Sequence, residues 1–459
     1  LHLKVGKMHS LTVRSLLMAT AVALSATTAL AEAPWTPAAT ALPGSARAGS
    51  RDVPVRPGDE TSISLQGLPP GASVTVLHGA SPLTPEPLTV GEDGKLTVPV
   101  QVPAGAKAGL HPLTVLTENP ASVSQVVLKL SEVVPPQNEA AFALQTLPVG
   151  ERAYQAALSG DGKLFVTSAR GPNDGSKLVR LDAATMTVEA EAEVPVDAKG
   201  DPVGVFGVAV DNAHGKVWTT NTQSETVTVY NADDLKVAKL FPEGSVQHPR
   251  DIVIDEARGR AYVSAALSPF VEVYDTATLE HVGQLQFVAE RGRAGFGAID
   301  LALDAGNGRL YSVSRDTPWV GWIDLATGQS TTVEVPEAQG ATDIARDPKT
   351  GRLYVVSQET NNVVVLDAEG KLLADTVIGA GGVSVVWDEK TSQVFAASRA
   401  GGTVAVLDAD GRLVANIPVD ETPNHLTAGP DGAVYLVAMY GVPGDKDQAG
   451  SVTRITAAP

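Results

Sequence analysis

An all-β fold, most of it a seven-bladed β-propeller, is what this 459-residue sequence predicts, on two observations. The first is a repeat. Each copy has an apolar–aromatic–Val–Ser segment, a short loop, a Val-x-Val-hydrophobic-Asp segment and a turn. One copy runs through Arg260-Ala261-Tyr262-Val263-Ser264 and Val271-Glu272-Val273-Tyr274-Asp275. Another runs through Arg352-Leu353-Tyr354-Val355-Val356-Ser357 and Asn361-Asn362-Val363-Val364-Val365-Leu366-Asp367. A unit of this kind is one small sheet that cannot bury both faces alone, so copies must stack side by side. The second observation is a separate group of short alternating segments ahead of the repeat, which predicts a small β-sandwich at the N-terminus.

The elements follow in order. Lys4, Lys7 and Arg14 precede an apolar run from Leu16 to Leu24, with Ala29-Leu30-Ala31 as small residues before Glu32. This pattern reads as a secretory signal over residues 1–31, removed on export. Residues 32–50, rich in Ala, Pro, Thr, Gly and Ser, read as a flexible linker. Over residues 51–134, runs such as Thr61-Ser62-Ile63-Ser64-Leu65 and Ala72-Ser73-Val74-Thr75-Val76-Leu77 alternate between turn signals such as Pro69-Pro70-Gly71. That spacing predicts an immunoglobulin-like sandwich, without the Cys–Trp–Cys core of antibody-type domains. The repeat occupies residues 140–459. Its third-strand segments end at Asp182, Asn231, Asp275, Asp324, Asp367 and Asp408, at intervals of roughly 40–50 residues, with a seventh copy at Ser451-Val452-Thr453-Arg454-Ile455. The last unit lacks an outer strand. Residues 142–147 can supply it and close the ring without an open edge.

Composition narrows the partners. The formal net charge is −18 and becomes more negative once the leader is lost. Such a chain repels nucleic acid and anionic membrane at long range unless it carries a local basic patch. There is no Cys, which excludes a disulfide framework and a lipid-anchoring Cys. A periplasmic or secreted monomer without membrane insertion is expected.

The repeat copies resemble the YVTN-type β-propeller repeat, and residues 140–459 resemble the YncE-like family of exported propellers. Further matching stretches are Val217-Trp218-Thr219-Thr220-Asn221-Thr222, Gln247-His248-Pro249-Arg250-Asp251 and Thr422-Pro423-Asn424-His425-Leu426. The resemblance implies the fold, export and, as one reading, nucleic-acid binding on the propeller face. It supplies no catalytic signature.

Loop lengths distinguish the two faces. Tight turns such as Asp255-Glu256-Ala257-Arg258-Gly259 serve backbone geometry. The long loops at 169–177, 197–206, 242–250, 288–299, 314–319 and 439–450 all fall at the opposite end, where repeat folds place their binding face. Arg152, Arg170, Arg250, Arg291, Arg293, Arg315 and Arg399 gather there, with Phe206, Phe296, Trp319, Tyr440 and His425. Either they form a pocket for an anionic or aromatic ligand, or each Arg pairs with a nearby acid such as Glu151, Asp174, Glu290 or Asp316. Gln155, Gly207, Asp251, Asp300, Asp343, Ser384 and His425 mark the start of the innermost strands. The carboxylates Asp251, Asp300 and Asp343 are a candidate cation ring, or else bonding partners for neighbouring backbone amides.

Catalytic motifs are absent. There is no G-x-S-x-G elbow, no phosphate-cradling Gly-Lys-Ser/Thr loop and no His-x-x-x-His spacing. A propeller lactonase, with His425 beside Asp343 or Asp300 as general base, follows only by fold analogy. The leading expectation is an exported binding or scaffold protein that uses the long-loop face for a small anionic ligand or an exported protein partner. No cofactor and no catalytic residue are assigned.

Overall fold

The computed structural model describes residues 42–50, 53–169, 176–266, 268–289, 295–419, 421–441 and 449–459. The expected signal, residues 1–31, and the candidate residues Arg170, Arg291 and Arg293 lie outside the described residues. The described chain is all-β apart from two short 3-10 turns, Glu139–Ala141 and Thr222–Ser224. Among these residues no helix is long and apolar enough to cross a membrane.

At the N-terminal end, two sheets enclose one core. Ser45–Ala48, Glu60–Gln66 and Lys95–Gln101 form one sheet. Gly109–Glu118 is paired on one side with Ser73–His78 and on the other with Ser122–Leu130 in the second. Alternation places Ile63, Leu65, Val74, Val76, Val98, Leu113, Val115 and Leu128 inward, all buried. One expectation is corrected here. The end of the expected linker is not loose chain, because Ser45–Ala48 pairs with Glu60–Gln66, with Ala46 opposite Leu65. Ala46 and Ala48 pack against the core while Ser45 and Arg47 face out, a period-two pattern that the small-residue composition conceals.

The remainder is a succession of four-stranded antiparallel sheets, all but the last built from consecutive strands. The first strands are Ala153–Leu158, Val208–Asp211, Pro249–Asp255, Ala298–Asp304, Ala341–Arg346, Gly382–Asp388 and Pro423–Ala428. Each packs beside the next, and Pro423–Ala428 packs beside Ala153–Leu158, so the inner strands close on themselves in a propeller-like array. The aromatic residue of each second strand is the wedge between sheets: Phe165, Trp218, Tyr262, Tyr311, Tyr354, Phe395 and Tyr435 are all buried. Two of them also reach the neighbouring sheet, where Tyr354 donates to the Ala409 carbonyl and Tyr435 to the Ala183 carbonyl, both at 3.1 Å.

The last sheet takes its outer strand from the start of the repeat region. Phe142–Gly150 lies antiparallel to Gly450–Ala457, with Leu147 opposite Val452 and Leu144 opposite Ile455. The third-strand aspartates act in turns, as their spacing implies. Asp275 accepts from the Thr278 amide (2.9 Å), and Asp324 accepts from the Thr327 amide (2.8 Å).

Candidate functional site

The inner-strand ring is a set of side chains that cross to the next sheet. Gln155 Oε1 accepts from the Val208 amide at 3.3 Å and Asp251 Oδ2 from the Leu301 amide at 3.0 Å. Asp343 Oδ2 accepts from the Val385 amide (2.8 Å) and the Ser384 hydroxyl (2.6 Å), and Ser384 Oγ accepts from the Leu426 amide (3.0 Å). His425 Nδ1 accepts from the Ala156 amide at 3.3 Å, linking the last sheet to the first. Gly207 contributes no side chain because none fits: a Cβ there would lie 2.4 Å from the Arg250 carbonyl oxygen and 2.8 Å from Thr220 Oγ1.

These contacts decide the question left open by Asp251, Asp300 and Asp343. Two of the carboxyls hold amides of the adjacent strand, and Asp300 hydrogen-bonds the Asp343 carboxyl. Among the described residues no group of three or more His, Asp or Glu side chains is arranged around a metal-sized space, these carboxyls included. The cation ring is therefore not formed, and the carboxyls join sheets. His425 is corrected in the same way. Its Nδ1 lone pair is taken by a backbone amide, and burial, helped by the positive charge of Arg250, pushes its pKa down to about 3. It is a neutral joint of the ring, not a free base.

Burial, reinforced by the negative charge of Asp343, pushes the Asp251 carboxyl up to about 7. Burial likewise raises Asp300 well above the ordinary range, and raises Asp343. A carboxyl whose folded pKa is raised holds its proton in the folded state while the unfolded chain has lost it. Stability contributed at Asp251 therefore falls as pH rises from about 4 to about 7. His425 acts with the opposite sign at lower pH, gaining stability as pH rises from about 3 towards the ordinary His range. Asp251→Asn keeps an oxygen for the Leu301 amide and removes the titration. Thermal melts between pH 5 and 8 are expected to show the variant gaining on the wild type as pH rises; a constant difference across that range would contradict the assignment.

Above the ring, three arginines from different sheets line one cavity of about 220 Å³, with Tyr154, Gln358 and Asn424. Arg250 comes from Pro249–Asp255, Arg315 directly follows Arg309–Ser314, and Arg399 directly follows Gln393–Ser398. The Arg250 guanidinium lies 4.7 Å over the Tyr154 ring. Burial, then the positive charges of Arg399 and Arg315, lowers its pKa to about 10, so it stays charged at neutral pH. Arg399 donates to the Asn424 side-chain oxygen and the Pro423 carbonyl. Arg315 is exposed.

The N-terminal sheets pack on this same face. Asn361 donates to Ser131 Oγ at 3.1 Å, and Lys129 Nζ donates to the Gln358 carbonyl. Asn416 donates to the Val134 carbonyl at 2.9 Å, tying down the connecting segment. Between the two parts lies a cleft of about 230 Å³ lined by Arg47, Lys129, Arg315, Arg399 and one acid, Glu359. It shares Arg315, Gln358 and Arg399 with the arginine cavity, so the two adjoin. Burial lowers the Lys129 pKa, opposed by Glu359.

Of the expected site residues, Arg250, Arg315 and Arg399 are thus brought together. Arg152 and Tyr440 meet each other instead, with the guanidinium 6.0 Å from the ring, and neither is among the residues lining the cavity. Phe206 packs edge-on against Tyr154 with centroids 5.0 Å apart, behind the cavity wall. Trp319 is corrected: it begins the strand Trp319–Asp324 and is buried with Leu310, Phe287 and Phe296 in the core between sheets. Phe296 stacks on Phe287 there at 4.5 Å. Arg47, Lys129 and Tyr154 were not anticipated. Arg47 stands in the segment read as linker, and Lys129 is the one charge in the run Val126-Val127-Leu128-Lys129-Leu130, the only signal it offers.

No family model matches the chain. It is 25% identical over 190 residues to the uncharacterized protein YncE of Escherichia coli K12, a match covering 39% of this chain and 50% of that protein. YncE of Escherichia coli O157:H7 matches to the same extent. The chain spans about half the length of the curated relatives it matches. Among solved structures it is similar to a streptogramin B lyase, with TM-score 0.57 and 15% identity over 70% of this chain and 100% of that one. It is also similar to Kuenenia stuttgartiensis hydrazine synthase (TM-score 0.54, 19% identity, 68% and 97% covered). The WD40 repeats of RRP9 superpose with TM-score 0.56 at 12% identity, covering 71% and 100%. At such identities these structures show the fold alone, and that fold is propeller-like with distant similarity to YncE.

Proposed function

We propose that this chain is an exported binding protein, a seven-bladed β-propeller with an immunoglobulin-like module docked on its long-loop face, that holds a small polyanion at the channel mouth. The observation that carries this reading is the cavity of about 220 Å³ into which three sheets deliver Arg250, Arg315 and Arg399. Arg399 and Arg315 add their positive charge around the buried Arg250, a field that favours an anion. Guanidinium groups take carboxylate or phosphate through paired, charge-assisted hydrogen bonds. The adjoining cleft adds Arg47 and Lys129 beside the shared Arg315 and Arg399, so a ligand bearing two or more anionic groups meets more cations there than a single inorganic anion does. Export is supported by the charged, apolar and small-residue pattern over residues 1–31. Binding is preferred over catalysis because the channel's carboxyls and His425 are engaged by strand amides or by one another.

A thermal-shift panel of inorganic phosphate, sulfate, citrate and a single-stranded oligonucleotide tests the reading. Citrate is expected to raise the melting temperature more than phosphate or sulfate, since a ligand bound only by the folded state stabilises it by mass action. The oligonucleotide is expected to have no effect, because the cavity is small and the chain carries a net charge of −18. Oligonucleotide binding that falls steeply with salt would favour the nucleic-acid reading instead.

A further inference from the structure

In the N-terminal sheets, two histidines face each other. Leu113, buried, is directly opposite His78 in the pairing of Ser73–His78 with Gly109–Glu118, and His111 lies two residues before it on the same strand. Residues two apart on a strand share a face, so His78, Leu113 and His111 all point to the core side, with the two imidazoles diagonal to each other. They stand at the edge of an apolar cavity of about 330 Å³ lined also by Leu83, Val100, Leu128 and Leu130.

Two distances define what the pair can do. His111 Nε2 lies 2.8 Å from the Lys107 carbonyl oxygen. A carbonyl only accepts, so Nε2 carries the proton and Nδ1 presents a lone pair. That Nδ1 lies 3.3 Å from His78 Nε2, and without a metal it accepts a hydrogen bond from His78 Nε2–H. A tetrahedral ion with bonds of about 2.0–2.1 Å to two imidazole nitrogens holds them about 3.3–3.4 Å apart. The backbone carbonyl behind His111 is also the usual partner that orients a metal-binding histidine and fixes its tautomer. The rings are inclined at 48° with centroids 5.4 Å apart, so they are not held by stacking.

From this spacing and the fixed tautomer we infer that His78 Nε2 and His111 Nδ1 form a two-histidine chelate for a divalent transition metal of the Zn²⁺ class. On binding, His78 carries its proton on Nδ1, so both facing nitrogens present lone pairs and no net proton is lost. The remaining coordination positions are taken by water or by a donor group from outside. This site is independent of the arginine cavity.

The experiment is calorimetric titration of Zn²⁺ into the metal-free full chain, alongside His78→Ala and His111→Ala. One saturable equivalent is expected in the wild type, weakened at least tenfold in each variant, while citrate binding at the propeller is unchanged. Absence of a saturable equivalent, or wild-type affinity in either variant, overturns the proposal. Should a variant fail to fold, nitrogen NMR of the wild-type imidazoles decides. Zn²⁺ must shift His78 Nε2 and His111 Nδ1, and a shift confined to other histidines overturns it.

Discussion

A chain that begins at Glu151 is expected to lose its cooperative folded state. Phe142–Gly150 is the outer strand of the closing sheet, and without it Gly450–Ala457 becomes an open edge. Phe142, which packs against the core of the neighbouring sheets and edge-on to Phe395 at 6.1 Å, goes with it. The hydrogen bond between Thr146 and Thr453 (2.8 Å) is lost as well. A ring joined by pairing its two ends has no other element to cover that edge, and an uncovered edge strand templates aggregation. A chain that begins at Asn138 lacks the N-terminal sheets but keeps the strand, and is expected to retain a single cooperative melt. Circular dichroism melts of the two chains make the comparison. Equal melting behaviour would show that the closing strand is dispensable.

Gly207→Ala is the second large effect. The added methyl would sit 2.4 Å from the Arg250 carbonyl oxygen, a backbone atom held in the next sheet by Thr220 Oγ1 at 3.0 Å. Neither partner is the free end of a flexible side chain, so two inner strands must separate. Overpacking of this kind costs about 1–3 kcal/mol, and more where backbone has to move. Because the displaced residue is Arg250, the same variant is expected to weaken anion binding. Urea unfolding measures the first effect and citrate titration the second. A variant as stable as the wild type would contradict the close approach of these strands.

Much of this architecture is legible in the sequence because it is periodic. The apolar–aromatic–Val–Ser segments mark second strands whose aromatic residues wedge between sheets, and the missing last strand points to residues 142–147. The inner ring is legible by position, and bonding to neighbouring amides is one of the two roles the sequence leaves open for it. Whether Asp251 and Asp343 meet an ion or an amide depends on the offset between adjacent sheets, which no local pattern records. Trp319 was misplaced by one residue at a loop boundary, and in a strand that is the difference between a rim and the core. Arg250, Arg315 and Arg399 were found because long loops and cations coincide on one face. Docking of the N-terminal sheets on that face was not legible. Its contacts, such as Lys129 on the Gln358 carbonyl and Asn361 on Ser131 Oγ, use single polar residues that no local pattern sets apart. Arg47 and Lys129 therefore enter the candidate site only through the fold.

Calorimetric titration of citrate at physiological salt into wild type and Arg250→Gln decides whether the channel-mouth arginines bind a small polyanion. Saturable binding of one citrate is expected, weakened at least about tenfold in the variant, the effect of losing one charge-assisted hydrogen bond. Equal affinity in the two proteins, or no saturable binding to the wild type, would contradict it.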